Sequence, residues 1–205
     1  METDELKNDC QNQEEHRPFA GKIKKPLIPW DFHESILFII WGWILFYDYF
    51  RFYLVKKMSF SYDFNRILEY SSVILVIAGI LFTGYYLYNK REILKTEKGK
   101  SLLTVWISLL TGMVMINLIQ MNVVHQIVFE LQHAVYMLIT AFAIVMTGRI
   151  IRNPLTLIGG VVFAILAFTA SYLNLREQLL LEAIGWMVSF VIPGHILFHK
   201  INKNK

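Results

Sequence analysis

The strongest constraint in this chain is a recurrence: six stretches of about twenty residues, nearly free of charge, follow one another after a polar start. At 1.5 Å of rise per residue, each such stretch covers the roughly 30 Å hydrocarbon layer of a bilayer. The stretches run from about Glu34 to Val55, Tyr70 to Asn89, Leu102 to Gln120, Ile127 to Arg149, Pro154 to Leu173 and Leu179 to Phe198. Their apolar residues are continuous rather than alternating, which selects helices over a transmembrane barrel. The expected fold is therefore all-α, a polytopic transmembrane bundle of six helices.

Composition agrees where it bears on that reading. Charged residues make up 18% of the chain and hydrophobic ones 55%, against about 25% charged in an ordinary soluble domain. A disordered chain, a collagen and a small disulfide scaffold are excluded. The single cysteine, Cys10, cannot form an internal disulfide. The net charge of +4 does not argue for nucleic acid, because no basic stripe interleaved with aromatics and no nucleic-acid module is present.

Three segments are expected. Residues 1–33 form a polar, mostly flexible cytoplasmic tail without the apolar core of a signal peptide, with Trp30 and Phe32 at the membrane surface. Residues 34–198 form the transmembrane domain, and 199–205 a short basic tail. Of the 20 lysines and arginines, fifteen fall in the N-terminal tail, the 90–100 loop, the Arg149–Arg152 turn and the C-terminus. The other side receives Arg51, Lys56, Lys57, Arg66 and Arg176. The positive-inside bias thus predicts both termini in the cytoplasm and a multi-pass protein of a cell inner membrane. Asn153-Pro154 is a natural cap and first turn for the fifth helix. Pro193-Gly194 predicts a bend or early end in the sixth.

Trp41-Gly42-Trp43, Asn153-Pro154 with Gly159-Gly160, and the closing stretch from Gln178 through Ile192-Pro193-Gly194-His195-Ile196-Leu197 carry a likeness. The chain resembles a group of small six-helix membrane proteins common in Bacteroidota. The resemblance implies the helical membrane fold and a bacterial source. It brings no activity, cofactor or site with it, since the shared positions are residues of packing and bending.

Ionisable residues inside a span are costly and mark candidate sites. Asp48 and Arg51, three apart in the first span, can neutralise each other as an intramembrane ion pair; a structural role among interfacial aromatics is the plainer reading. Gln126, Glu130 and His133 follow helix spacing at the outer end of the fourth span. Glu-x-x-His is the unit that di-metal bundles use twice, but it occurs once here. Glu182 lies near the outer end of the sixth span with no basic neighbour one turn away. Glu130, His133 and Glu182, with His125 nearby and Asp48 or Arg51 within reach, form the candidate ligand or ion cluster. The competing reading has each reach separately to the interface. His195 and His199 read as flanking the inner surface, and lie about 15 Å from His133 along the membrane normal, too far to share one haem iron. Polar and small residues, among them Asn117, Gln120, Thr83, Gly79, Gly112, Gly160, Ala164 and Ala167, read as helix packing.

No phosphate loop, nucleophile motif or HExxH is present, so no catalytic residue and no cofactor is assigned. Three function classes follow. The first is a noncatalytic membrane component or accessory subunit that recognises lipid, a protein partner or a second copy of itself. The second is a small transporter or channel using the outer acidic and histidine cluster. The third is a metal-dependent intramembrane enzyme.

Overall fold

The computed structural model describes residues 30–58 and 60–203. Cys10 and most of the expected N-terminal tail, residues 1–29, lie outside the described residues, as do Ser59, Asn204, Lys205 and the side chains of Trp30 and Phe32. Among the described residues the chain is all-helical, without strands. Its six principal helices are α1 (Trp30–Lys57), α2 (Tyr62–Asn89), α3 (Glu97–Val123), α4 (Phe129–Ile151), α5 (Pro154–Ala170) and α6 (Leu175–Lys203). The last contains a π turn at Met187–Val191, and a single helical turn, Arg91–Leu94, joins α2 to α3. Five of the six are long and apolar enough to cross a membrane, and α5 is shorter at 17 residues. That pattern fits a multi-pass membrane protein.

Local chemistry sets the helix starts, and caps place three of them earlier than hydropathy alone suggests. Ser61 accepts from the Phe64 N–H and Thr96 from the Gly99 N–H, so α2 and α3 each gain a polar first turn outside the apolar run. Asn174 caps α6 in the same way. At α5 the Asn153 side chain accepts from the Leu155 N–H at 3.0 Å, with Pro154 in the first turn, as the dipeptide predicts.

The α4–α5 connection is the tightest in the molecule. Arg152 adopts left-handed geometry at φ 57°, and the Asn153 N–H returns to the Gly148 carbonyl at 2.9 Å. The two helices then touch backbone to backbone. A Cβ on Gly148 would lie 2.6 Å from the Leu157 nitrogen, and one on Gly160 would lie 2.8 Å from the Val145 nitrogen. Only glycine fits at either position.

At Pro193 the chain does not end its helix but widens it. Proline has no N–H to give the Ser189 carbonyl, and its ring would press on that group in α geometry. The π turn just before it relieves the crowding: the Ile192 N–H reaches back five residues to the Met187 carbonyl. The helix then continues to Lys203, past the expected boundary at residue 198.

Packing divides the helices in two. α1, α4, α5 and α6 enclose the core, in which Met137, Ile144 and Phe163 are fully buried. Phe38, Phe190, Trp186 and Phe163 form a chain of ring contacts with centroids 5.0–5.2 Å apart. α2 leans chiefly on α1, and α3 chiefly on α4. Only 11% of the most apolar window of α2 and 6% of that of α3 is buried, against 44% for α4 and 56% for α6.

A polar layer as candidate functional site

Near one end of the bundle, polar side chains of five helices meet at one level. The level lies roughly 6–12 Å inside the end of α1 and the starts of α4 and α6, at 1.5 Å per residue. At its centre is Glu182, only 2% exposed. The His133 Nδ1 lies 3.0 Å from its Oε2, and the Tyr49 hydroxyl faces the same carboxyl. Tyr49 also sets its ring edge-on to the imidazole, with centroids 6.0 Å apart. One turn further along α6, the buried Trp186 indole N–H faces the carboxyl without reaching full hydrogen-bond geometry. Glu182 thereby ties α6 to α1 through Tyr49 and to α4 through His133.

Around this centre lie two further groups. On the α2 side, Asp48 pairs with Arg51 at 3.1 Å and accepts a short hydrogen bond from the Ser72 hydroxyl. Arg51 is 6% exposed, and its guanidinium also sits 4.0 Å over the Phe52 ring. On the α3 side, Gln132 donates to Asn117 at 2.7 Å and to the Tyr136 hydroxyl at 3.0 Å, and Tyr136 donates to the Met113 carbonyl at 3.0 Å. Gln120 of α3 accepts the Val128 N–H at 2.9 Å, capping α4 from a neighbouring helix, where no side chain of its own does so.

The candidate cluster read from the sequence divides accordingly. His133 and Glu182 come together, and Asp48 and Arg51 lie in the same layer as a pair. Glu130 does not join them: it is exposed in the first turn of α4, where a carboxylate meets free N–H groups and the positive end of the helix dipole. His125 is also exposed, in the α3–α4 turn, at a left-handed φ of 55°. Gln126 precedes α4 and so shares no helical stripe with Glu130. His195 and His199 are exposed along the far end of α6. Among the described residues no three His, Cys, Asp or Glu side chains are grouped so that they could hold a metal ion.

Tyr49 and Trp186 are the members that reading by residue type misses. Tyr49 sits in the aromatic run Phe46–Tyr53, which looks uniformly interfacial. One signal was available: Ser35, Gly42 and Tyr49 repeat every seven residues, and this stripe faces α6. Gly42 lies against Phe190 and Val191, and the Ser35 carbonyl lies beside Gly194. Away from the layer, a groove of about 360 Å³ between α3 and α4 is lined by Thr104, Ser108 and Gly112 together with Ile139, Phe142 and Met146. It holds no ionisable group and belongs to the outer face of the bundle. Compared with known proteins, this chain matches no family model, no curated protein and no solved structure.

Proposed function

We propose that this chain is a noncatalytic multi-pass membrane component that works as an accessory or regulatory subunit, binding another membrane protein through α2 and α3. The observation that carries this reading is how the layer spends its polar groups. The Glu182 carboxyl is engaged by His133, and that of Asp48 by Arg51 and Ser72. The two buried carboxyls thus have partners inside the bundle, while α2 and α3 keep most of their surface outward. With Glu130 exposed, the third group that a metal-dependent intramembrane enzyme would need is missing from the cluster. The charge asymmetry along the sequence supports cytoplasmic termini. Labelling Cys10 only from the cytoplasmic side is the matching expectation.

A small proton-linked transporter is the second reading. What favours it is the graded exposure of the central pair, 20% for the His133 side chain and 3% for that of Glu182, which gives the buried carboxyl a route outward. Native mass spectrometry of the protein released gently from its membrane separates the two. A stoichiometric second protein, lost when α2 and α3 surface residues such as Ile80 and Leu118 are changed to lysine, is the expected result. A non-lipid small ligand or metal that disappears in Glu182→Gln would overturn it in favour of transport or catalysis.

A further inference from the structure

The distance between His133 and Glu182 has a consequence that does not depend on any partner. At 3.0 Å between Nδ1 and Oε2, one proton shared by the two groups rests on nitrogen or on oxygen. With the other ring nitrogen, Nε2, carrying its own proton, both forms leave the pair neutral as a whole. A second proton leaves a net positive charge, and removal of the only one leaves a net negative charge. Either charge would sit beside a carboxyl that is 2% exposed, where an unbalanced charge is strongly disfavoured.

The surroundings offer no compensation. From α1 the site meets Tyr49, a neutral group, while the charges of Asp48 and Arg51 offset each other. From α4 it meets His133 itself; Tyr136 gives its proton to the Met113 carbonyl, and Glu130 is exposed toward the helix end. α5 carries no titratable residue at all. On α6 the neutral Trp186 indole is near, and Arg176 and Glu177 lie more than one turn away toward the helix start.

We propose that His133, Glu182 and Tyr49 form a proton-binding latch: one shared proton fastens α4 to α6 and α1, and gaining a second proton or losing the first loosens that joint. The imidazole is the port, because it is the part of the pair that reaches the surface. The joint also lies beside the attachment of α3, which is held to α4 through Gln132–Asn117 and Tyr136–Met113, next to and one turn beyond His133. The latch stands whether or not α2 and α3 bind another protein.

The test uses the full chain in phosphatidylcholine bilayers, with ¹⁵N-labelled histidine and ¹³C-labelled glutamate followed by solid-state NMR across pH. The His133 ring nitrogens and the Glu182 carboxyl carbon are expected to change together at the same two midpoints, as coupled groups do. In Glu182→Gln, this joint two-midpoint change should be lost. Spin labels at the exposed positions Leu138 and Ile184, introduced as Leu138→Cys and Ile184→Cys in a Cys10→Ser background, should separate by about 2 Å on both sides of the neutral window. Independent titration of the two groups would overturn the proposal, and so would a label distance that stays flat while they titrate. The wild-type titration decides the matter even if Glu182→Gln fails to fold.

Discussion

The four core helices and the two outer ones are held by different forces. Between α4 and α5 the helices meet at glycine, close enough for backbone atoms to touch. Lipid is as apolar as leucine, so such association rests on close van der Waals fit rather than on escape from water. α2 and α3 have thinner packing, with Gly79 of α2 against Ile44 of α1 and Trp106 of α3 edge-on to Phe190 of α6, and rely more on hydrogen bonds. Along α1, the Trp41 indole donates to Thr83 at 2.9 Å, Tyr47 bonds to Ser71 at 2.7 Å, and Ser72 bonds to Asp48. Along α4, Gln132 and Tyr136 hold α3. Packing of the first kind is lost altogether when a gap opens. Hydrogen bonds of the second kind can be broken singly, so the outer helices are the ones able to shift without loss of the core.

Substitution can break that contrast at three strengths. Gly160→Leu should have the largest effect, a loss of about 3 kcal/mol or outright failure of the α4–α5 hairpin, because its first carbon already collides with the Val145 backbone. Reversible unfolding in mixed micelles measures it; a loss under about 1 kcal/mol would mean that the interface is softer than its geometry. Gln132→Ala should cost about 1 kcal/mol, the scale of membrane hydrogen bonds. It should raise amide exchange in α3 and leave α5 unchanged; equal loosening of both would dissolve the distinction between core and outer helices. Gly112→Ala should be neutral or stabilising by up to about 1 kcal/mol through helix propensity, since nothing lies within 4 Å of the added carbon. A clear loss there would place a close neighbour in the α3–α4 groove and give the outer face an occupant.

The same contrast explains what was readable in the sequence. Helix number and approximate extent follow from apolar length, and the start of α5 follows from Asn153-Pro154, because both are local. Gly112 and Gly160 look alike in the sequence, yet one faces a groove and the other a backbone. The difference lies in which helix arrives opposite, and single-chain hydropathy does not record that. Depth arithmetic brings His133 and Glu182 to one level, but it equally admits Glu130. The face of α4 decides between them, and in a helix apolar on nearly every side no periodicity marks that face. Tyr49 was hidden for a related reason: its aromatic neighbours mask a stripe whose other members are a serine and a glycine.

The π turn of α6 bears on chain length. Two contacts fix the phase of this helix: Glu182 against His133 on one side of the turn, and Gly194 against Ile39 on the other. Removing a residue elsewhere between them would swing one contact away from the other by about 100°. Within Met187–Val191 the wide turn already holds slack, so deleting one residue there returns the backbone toward α geometry, with a kink at Pro193, and keeps both contacts in phase. This short stretch is where loss of one residue leaves the phase of the protein's most buried helix unchanged.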